Sequence, residues 1–110
     1  MTFFDPSHVP HREIAPGVRI RTMWGDRIMI SVVDLEPGSQ VPSHTHPNEQ
    51  MGMVLEGGMR MDIGGETRDL KQGDIYLATS DQEHSVTDVE LFTRVLDIFS
   101  PPREDYKPGG

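Results

Sequence analysis

His44 and His46 stand one residue apart in the segment Gly38-Ser-Gln-Val-Pro-Ser-His44-Thr-His46-Pro-Asn-Glu-Gln50-Met-Gly52-Met-Val-Leu-Glu-Gly57. Side chains of an extended chain alternate with a period of two, so both imidazoles project from one side. Gln50 keeps that parity and converges with them if the strand continues through the turn. His84 lies downstream in Gly73-Asp-Ile-Tyr-Leu-Ala-Thr-Ser-Asp-Gln-Glu-His84, a second glycine-led segment. Three imidazoles and a carboxamide oxygen make a ligand set for one divalent transition metal, with zinc, nickel, manganese, iron or copper all compatible. Glu49 has the opposite parity and is expected to point away, becoming a ligand only where the strand bulges. Cysteine is absent. That removes disulfides, thiolate nucleophiles and cysteine-held zinc or iron–sulfur centres, leaving His, carboxylate, amide or water to hold a metal.

Asp97, Phe99 and Arg103 form a second group near the C-terminus. Val95, Asp97 and Phe99 share one face of a strand pattern, with Leu96 and Ile98 on the other. A carboxylate inside an apolar strand is costly to bury unless it is paired or functional. Its ordinary fate is an ion pair with Arg94 or Arg103, and Arg103 itself is ordinarily a surface residue. His8 and His11 sit among prolines in an irregular stretch and read as surface histidines.

Short strands must carry these residues. The 110 residues allow one core, and one domain is expected over 1–110, with an irregular arm over about 1–16 and a polar tail over about 100–110. Nine prolines and eleven glycines break the chain often, which favours strands and turns over long helices. Strands are expected over Val18 to Trp24, Ile28 to Leu35, Gln50 to Leu55, Met59 to Ile63, Glu66 to Leu70, Ile75 to Ala78, His84 to Val89 and Leu91 to Phe99. Turns at spacings of about 8–12 residues predict an all-β sandwich or barrel, and a double-sheet jelly roll suits a ligand site in its mouth.

The two histidine segments resemble the paired signatures of the cupin superfamily, a double-stranded β-helix or jelly-roll barrel. The first signature is matched by Gly38, His44, His46, Gln50 and Gly57. The second is matched by Gly73 and His84, with Thr79, Asp81 and Asp88 standing where the pattern has proline, glycine and asparagine. Together with its tail, the chain resembles a narrower group, the pectin-degradation cupins that linearise 4,5-unsaturated monouronates. Asn48 departs from that group, which often has histidine there. The resemblance implies metal ligation by His44, His46, Gln50 and His84, with Asp97, Phe99 and Arg103 serving catalysis and substrate binding. It also implies a metal-dependent isomerase or tautomerase acting on unsaturated uronates from pectin or alginate. The alternatives are an iron-dependent dioxygenase and a non-catalytic small-molecule-binding cupin.

A net charge of −8 with no basic run argues against nucleic acid. A small anionic substrate would be repelled by the overall field within about 8 Å, so a local arginine must attract it. No stretch is apolar enough for a membrane span, and the polar start lacks a signal-peptide core, so a cytoplasmic protein is expected. Gly52 should face inward and leave space beside the metal for a sugar-sized ligand. Met51 and Met53 should face outward in company with Met59 and Met61, an apolar stripe suited to a homodimer.

Overall fold

Short runs of alternating apolar and polar residues between Gly and Pro turns leave strands as the available regular structure. The computed structural model describes residues 2–108. Its strands are β1 (Arg12–Ala15), β2 (Val18–Trp24), β3 (Met29–Leu35), β4 (Val41–His44), β5 (Glu49–Glu56), β6 (Gly58–Ile63), β7 (Glu66–Lys71), β8 (Ile75–Ala78), β9 (His84–Thr87) and β10 (Thr93–Ser100). They form an antiparallel six-stranded sheet, ordered β1-β2-β3-β10-β5-β8, and a four-stranded sheet, ordered β4-β9-β6-β7. The result is the expected all-β jelly-roll barrel. Val18, Ile20, Val33, Leu35, Val54 and Val95 of the larger sheet pack against Met59, Met61 and Val86 of the smaller one. Among the described residues, no helix is long and apolar enough to cross a membrane.

The stretch before Pro16 is more ordered than expected. Arg12–Ala15 pairs with β2 as an edge strand, and Pro6–His8 forms a single 3-10 turn capped by Asp5. Flanking prolines mask this four-residue strand in the sequence. At the other end of the chain, Asp88 takes a positive φ of 52°, which ends β9 at Thr87 and delays β10 until Thr93.

Met59 and Met61 face inward, contrary to the expected outward stripe, and each is only 4% exposed. Alternation within β6 is as anticipated; the side is reversed. Gly57 has a φ of +80° and the chain passes there from the larger sheet to the smaller one, so parity counted along β5 does not carry into β6. Met51 and Met53 do face outward.

Register brings the chemistry-bearing residues together. His44 lies opposite His84 across β4 and β9. On the larger sheet Phe99 lies opposite Gln50, and the next inward row runs Asp97, Gly52, Tyr76 across β10, β5 and β8. Directly opposed side chains start only about 5 Å apart, so each row is a contact set.

Candidate metal centre and its pocket

The three imidazoles meet where the ends of β4, β5 and β9 approach one another. One ring nitrogen from each of His44, His46 and His84 lies within 4.8 Å of the others. Each Nδ1 is held by a backbone carbonyl two residues away: Pro42 at 2.8 Å, Asn48 at 2.9 Å and Gln82 at 2.8 Å. A carbonyl only accepts, so Nδ1 carries a hydrogen in each ring and Nε2 is the nitrogen left for a ligand. His84 Nε2 is buried without a hydrogen-bond partner. Burial, reinforced by the Arg103 cation, pulls the His46 pKa down, and burial takes that of His84 down to about 4. Convergent imidazoles, each oriented by a carbonyl, could hold a divalent transition metal.

Gln50 is buried and Glu49 is exposed, as their parity predicts. Gln50 Oε1 lies 3.0 Å from His46 Nε2. With His46 Nδ1 donating to Asn48, two lone pairs face one another there, an arrangement that a shared cation reconciles. The donor set therefore fits such an ion.

Asp97 makes no ion pair with either arginine expected as its partner. Arg94 instead binds Asp34 through Nε at 2.7 Å and Nη2 at 3.2 Å. Arg103 binds Asp105 through Nη2 at 2.8 Å and Nε at 3.3 Å. The Asp97 partner is Tyr76, whose hydroxyl donates to Oδ1. Burial raises the Asp97 pKa to about 6 against the opposing pull of Tyr76, Gln50 and Arg103. Burial, then the nearby Asp97 charge, pushes the Tyr76 hydroxyl well above its ordinary value. The space expected above Gly52 is filled by these two side chains, because a Cβ there would overlap Tyr76 Oη and Asp97 Oδ1.

Arg103 is buried, not a surface residue. Its guanidinium carbon stands 3.7 Å from the centre of the Tyr106 ring and 5.3 Å from that of Phe99. Phe99 also meets His46 edge-on, with ring centres 5.6 Å apart. The tail that carries Asp105 and Tyr106 is anchored by Arg12 Nη2, which donates to the Asp105 carbonyl at 2.7 Å, and by the Thr22 hydroxyl, which donates to the Tyr106 carbonyl at 3.0 Å. Sequence reasoning singles out none of Tyr76, Asp105 or Tyr106. Tyr76 is a lone aromatic in a four-residue strand, and its partner is two strands away.

A jelly-roll barrel with convergent imidazoles at one end is the architecture of a cupin. Residues 31–99 match the family described as the cupin domain, and the chain belongs to that family. Pectin degradation protein KdgF of Dickeya dadantii (strain 3937) is 31% identical over 106 residues, covering 94% of this chain and 96% of that protein. The solved structure of KdgF from Halomonas sp. matches with a TM-score of 0.89 at 27% identity, over 97% of this chain and 99% of that one. An H2HPP isomerase of Bacillus subtilis is 30% identical over 94 residues, 84% of this chain and 40% of the isomerase.

Proposed function

We propose that this protein is a metal-dependent isomerase or tautomerase that converts 4,5-unsaturated monouronates from pectin or alginate breakdown to their linear keto forms, as the similarity to KdgF suggests. The observation that carries the metal dependence is the buried, unpartnered His84 Nε2, which faces two similarly oriented imidazoles. His44, His46 and His84 would hold the ion, with Gln50 as a further candidate ligand. When bound, the ion supplies Lewis acidity that polarises a substrate oxygen. A neutral ligand set leaves its charge to be balanced by an anionic substrate or water.

Ring opening breaks the bond between the anomeric carbon and the ring oxygen as the anomeric hydroxyl loses its proton. The resulting enolate then gains that proton on carbon and becomes a ketone, so composition is unchanged. Asp97, with a pKa of about 6, can take and return a proton near neutral pH. Arg103 lines the same cavity and binds the substrate carboxylate through N–H groups that Asp105 does not use. Phe99 forms the apolar wall. Free space inside the barrel is about 50 Å³, room for about one or two waters, so the sugar ring enters from the rim beside half-buried His44.

The same reading places the protein in the cytoplasm as a homodimer. Proton NMR of unsaturated galacturonate incubated with the protein tests the activity. The vinylic signal should give way to the linear keto product faster than in buffer, and Asp97→Asn should slow the reaction by about a hundred- to ten-thousandfold. Equal rates with and without protein would reject the reading.

A further inference from the structure

Tyr76 and Asp97 belong to strands that do not touch. β8 and β10 flank β5 on opposite sides, and the register sets Tyr76, Gly52 and Asp97 in one row. Across two strand spacings of about 4.8 Å each, two side chains meet only if the residue between them projects nothing inward. Gly52 is that residue: a Cβ would overlap Tyr76 Cζ and Oη and Asp97 Oδ1. Tyr76 is 8% exposed and Asp97 likewise 8%. Among the described residues no cation forms an ion pair with the carboxylate, and Arg103 is engaged by Asp105.

We propose that Tyr76 is a positioning residue for Asp97, donating its hydroxyl over Gly52 to Oδ1 and so fixing how the carboxylate is presented to substrate. This role rests on the uronate reading, in which Asp97 moves the proton. A carboxylate free to rotate about its last torsion would offer either oxygen in many orientations. One tied through Oδ1 is held in a fixed orientation, and small misplacements of a catalytic group can lower rates by about a hundredfold. Gly52 is part of the same device, because it keeps the bridge between β8 and β10 open.

Tyr76→Phe removes only the hydroxyl and keeps the buried ring. The expected result is a kcat lowered about ten- to a hundredfold, with KM and bound metal close to those of the parent. A role confined to packing would leave kcat unchanged in a variant of parental melting temperature, and that outcome overturns the proposal. Gly52→Ala keeps both polar groups but blocks their meeting. Its kcat should fall similarly, and Gly52→Ala/Tyr76→Phe should be no slower than the slower single variant; fully additive losses would contradict a shared device. If Gly52→Ala does not fold, Tyr76→Phe decides. Proton NMR gives a readout independent of turnover: a slowly exchanging hydroxyl resonance lost in both Tyr76→Phe and Asp97→Ala, whose absence from the parent also overturns the proposal. A parent protein without turnover would reject the uronate reading and this role with it. Turnover in the parent, unchanged in Tyr76→Phe, rejects this role alone.

Discussion

His84 and Asp97 have displaced pKa values that oppose one another in their effect on stability. Burial lowers His84 from 6.5 to about 4. Between those values the unfolded chain binds more protons than the folded one, so the His84 contribution is present above 6.5 and is lost as pH falls through about 4. Burial raises Asp97 from 3.8 to about 6. Here the folded state binds more protons, so the contribution is present below 3.8 and is lost as pH rises through about 6. Asp97→Asn should therefore raise the melting temperature of the metal-free protein near pH 8 while lowering kcat by about a hundred- to ten-thousandfold. A melting temperature lowered at that pH would show that Asp97 is stabilised by its neighbours, contrary to its displaced pKa. His84→Ala should abolish stoichiometric metal, read by elemental analysis of untagged protein; retention of a full equivalent would remove His84 from the ligand set.

At the scale of elements, the junction between β5 and β6 controls which side chains enter the barrel. The Thr93 hydroxyl, fully buried, accepts from Gly58 N at 3.1 Å and lies 2.9 Å from its carbonyl, while a Cβ on Gly57 would overlap the Phe92 carbonyl and Thr93. Thr93→Val should cost about 1–3 kcal/mol in urea denaturation, the penalty of leaving buried peptide groups unpaired. A change within experimental error would show that the junction holds without this hydroxyl. This junction also marks where sequence legibility ends. His44, His46, Gln50 and His84 are readable because alternation within one strand fixes the side of each. Met59 and Met61 are misread because the sheet changes at Gly57–Gly58, which no parity rule records. The Tyr76–Asp97 bond is invisible for a related reason: 21 residues separate them, and only strand pairing shows that Gly52 lies between. The edge strand at Arg12–Ala15 is hidden by its length and flanking prolines.

For the whole molecule, the outer face of the larger sheet is an apolar surface left exposed among the described residues. It exposes Ile30, Met51, Met53, Leu55, Ile75 and Leu77, whereas the polar groups on that face are largely paired, as in Asp34 with Arg21 and Arg94. A second copy covering this face would remove the apolar stripe from water. Light scattering after size exclusion should give twice the chain mass at micromolar concentration, and Met53→Lys/Leu77→Lys should shift it to the monomer. A monomeric parent would remove the dimer. The net charge of −8 repels an anionic substrate, and among residues lining the interior cavity Arg103 is the cation that can offset this locally. Arg103→Ala should accordingly raise KM more than it lowers kcat in steady-state assays; an unchanged KM would separate Arg103 from the substrate carboxylate.

Absorbance of the conjugated double bond of unsaturated galacturonate offers the most direct measurement. Followed with parent protein, chelated protein and chelated protein resupplied with a divalent metal, it should fall rapidly, at the buffer rate, and rapidly again. Decay at the buffer rate in all three, or rapid decay in chelated protein shown by elemental analysis to hold no metal, would contradict a metal-dependent uronate isomerase.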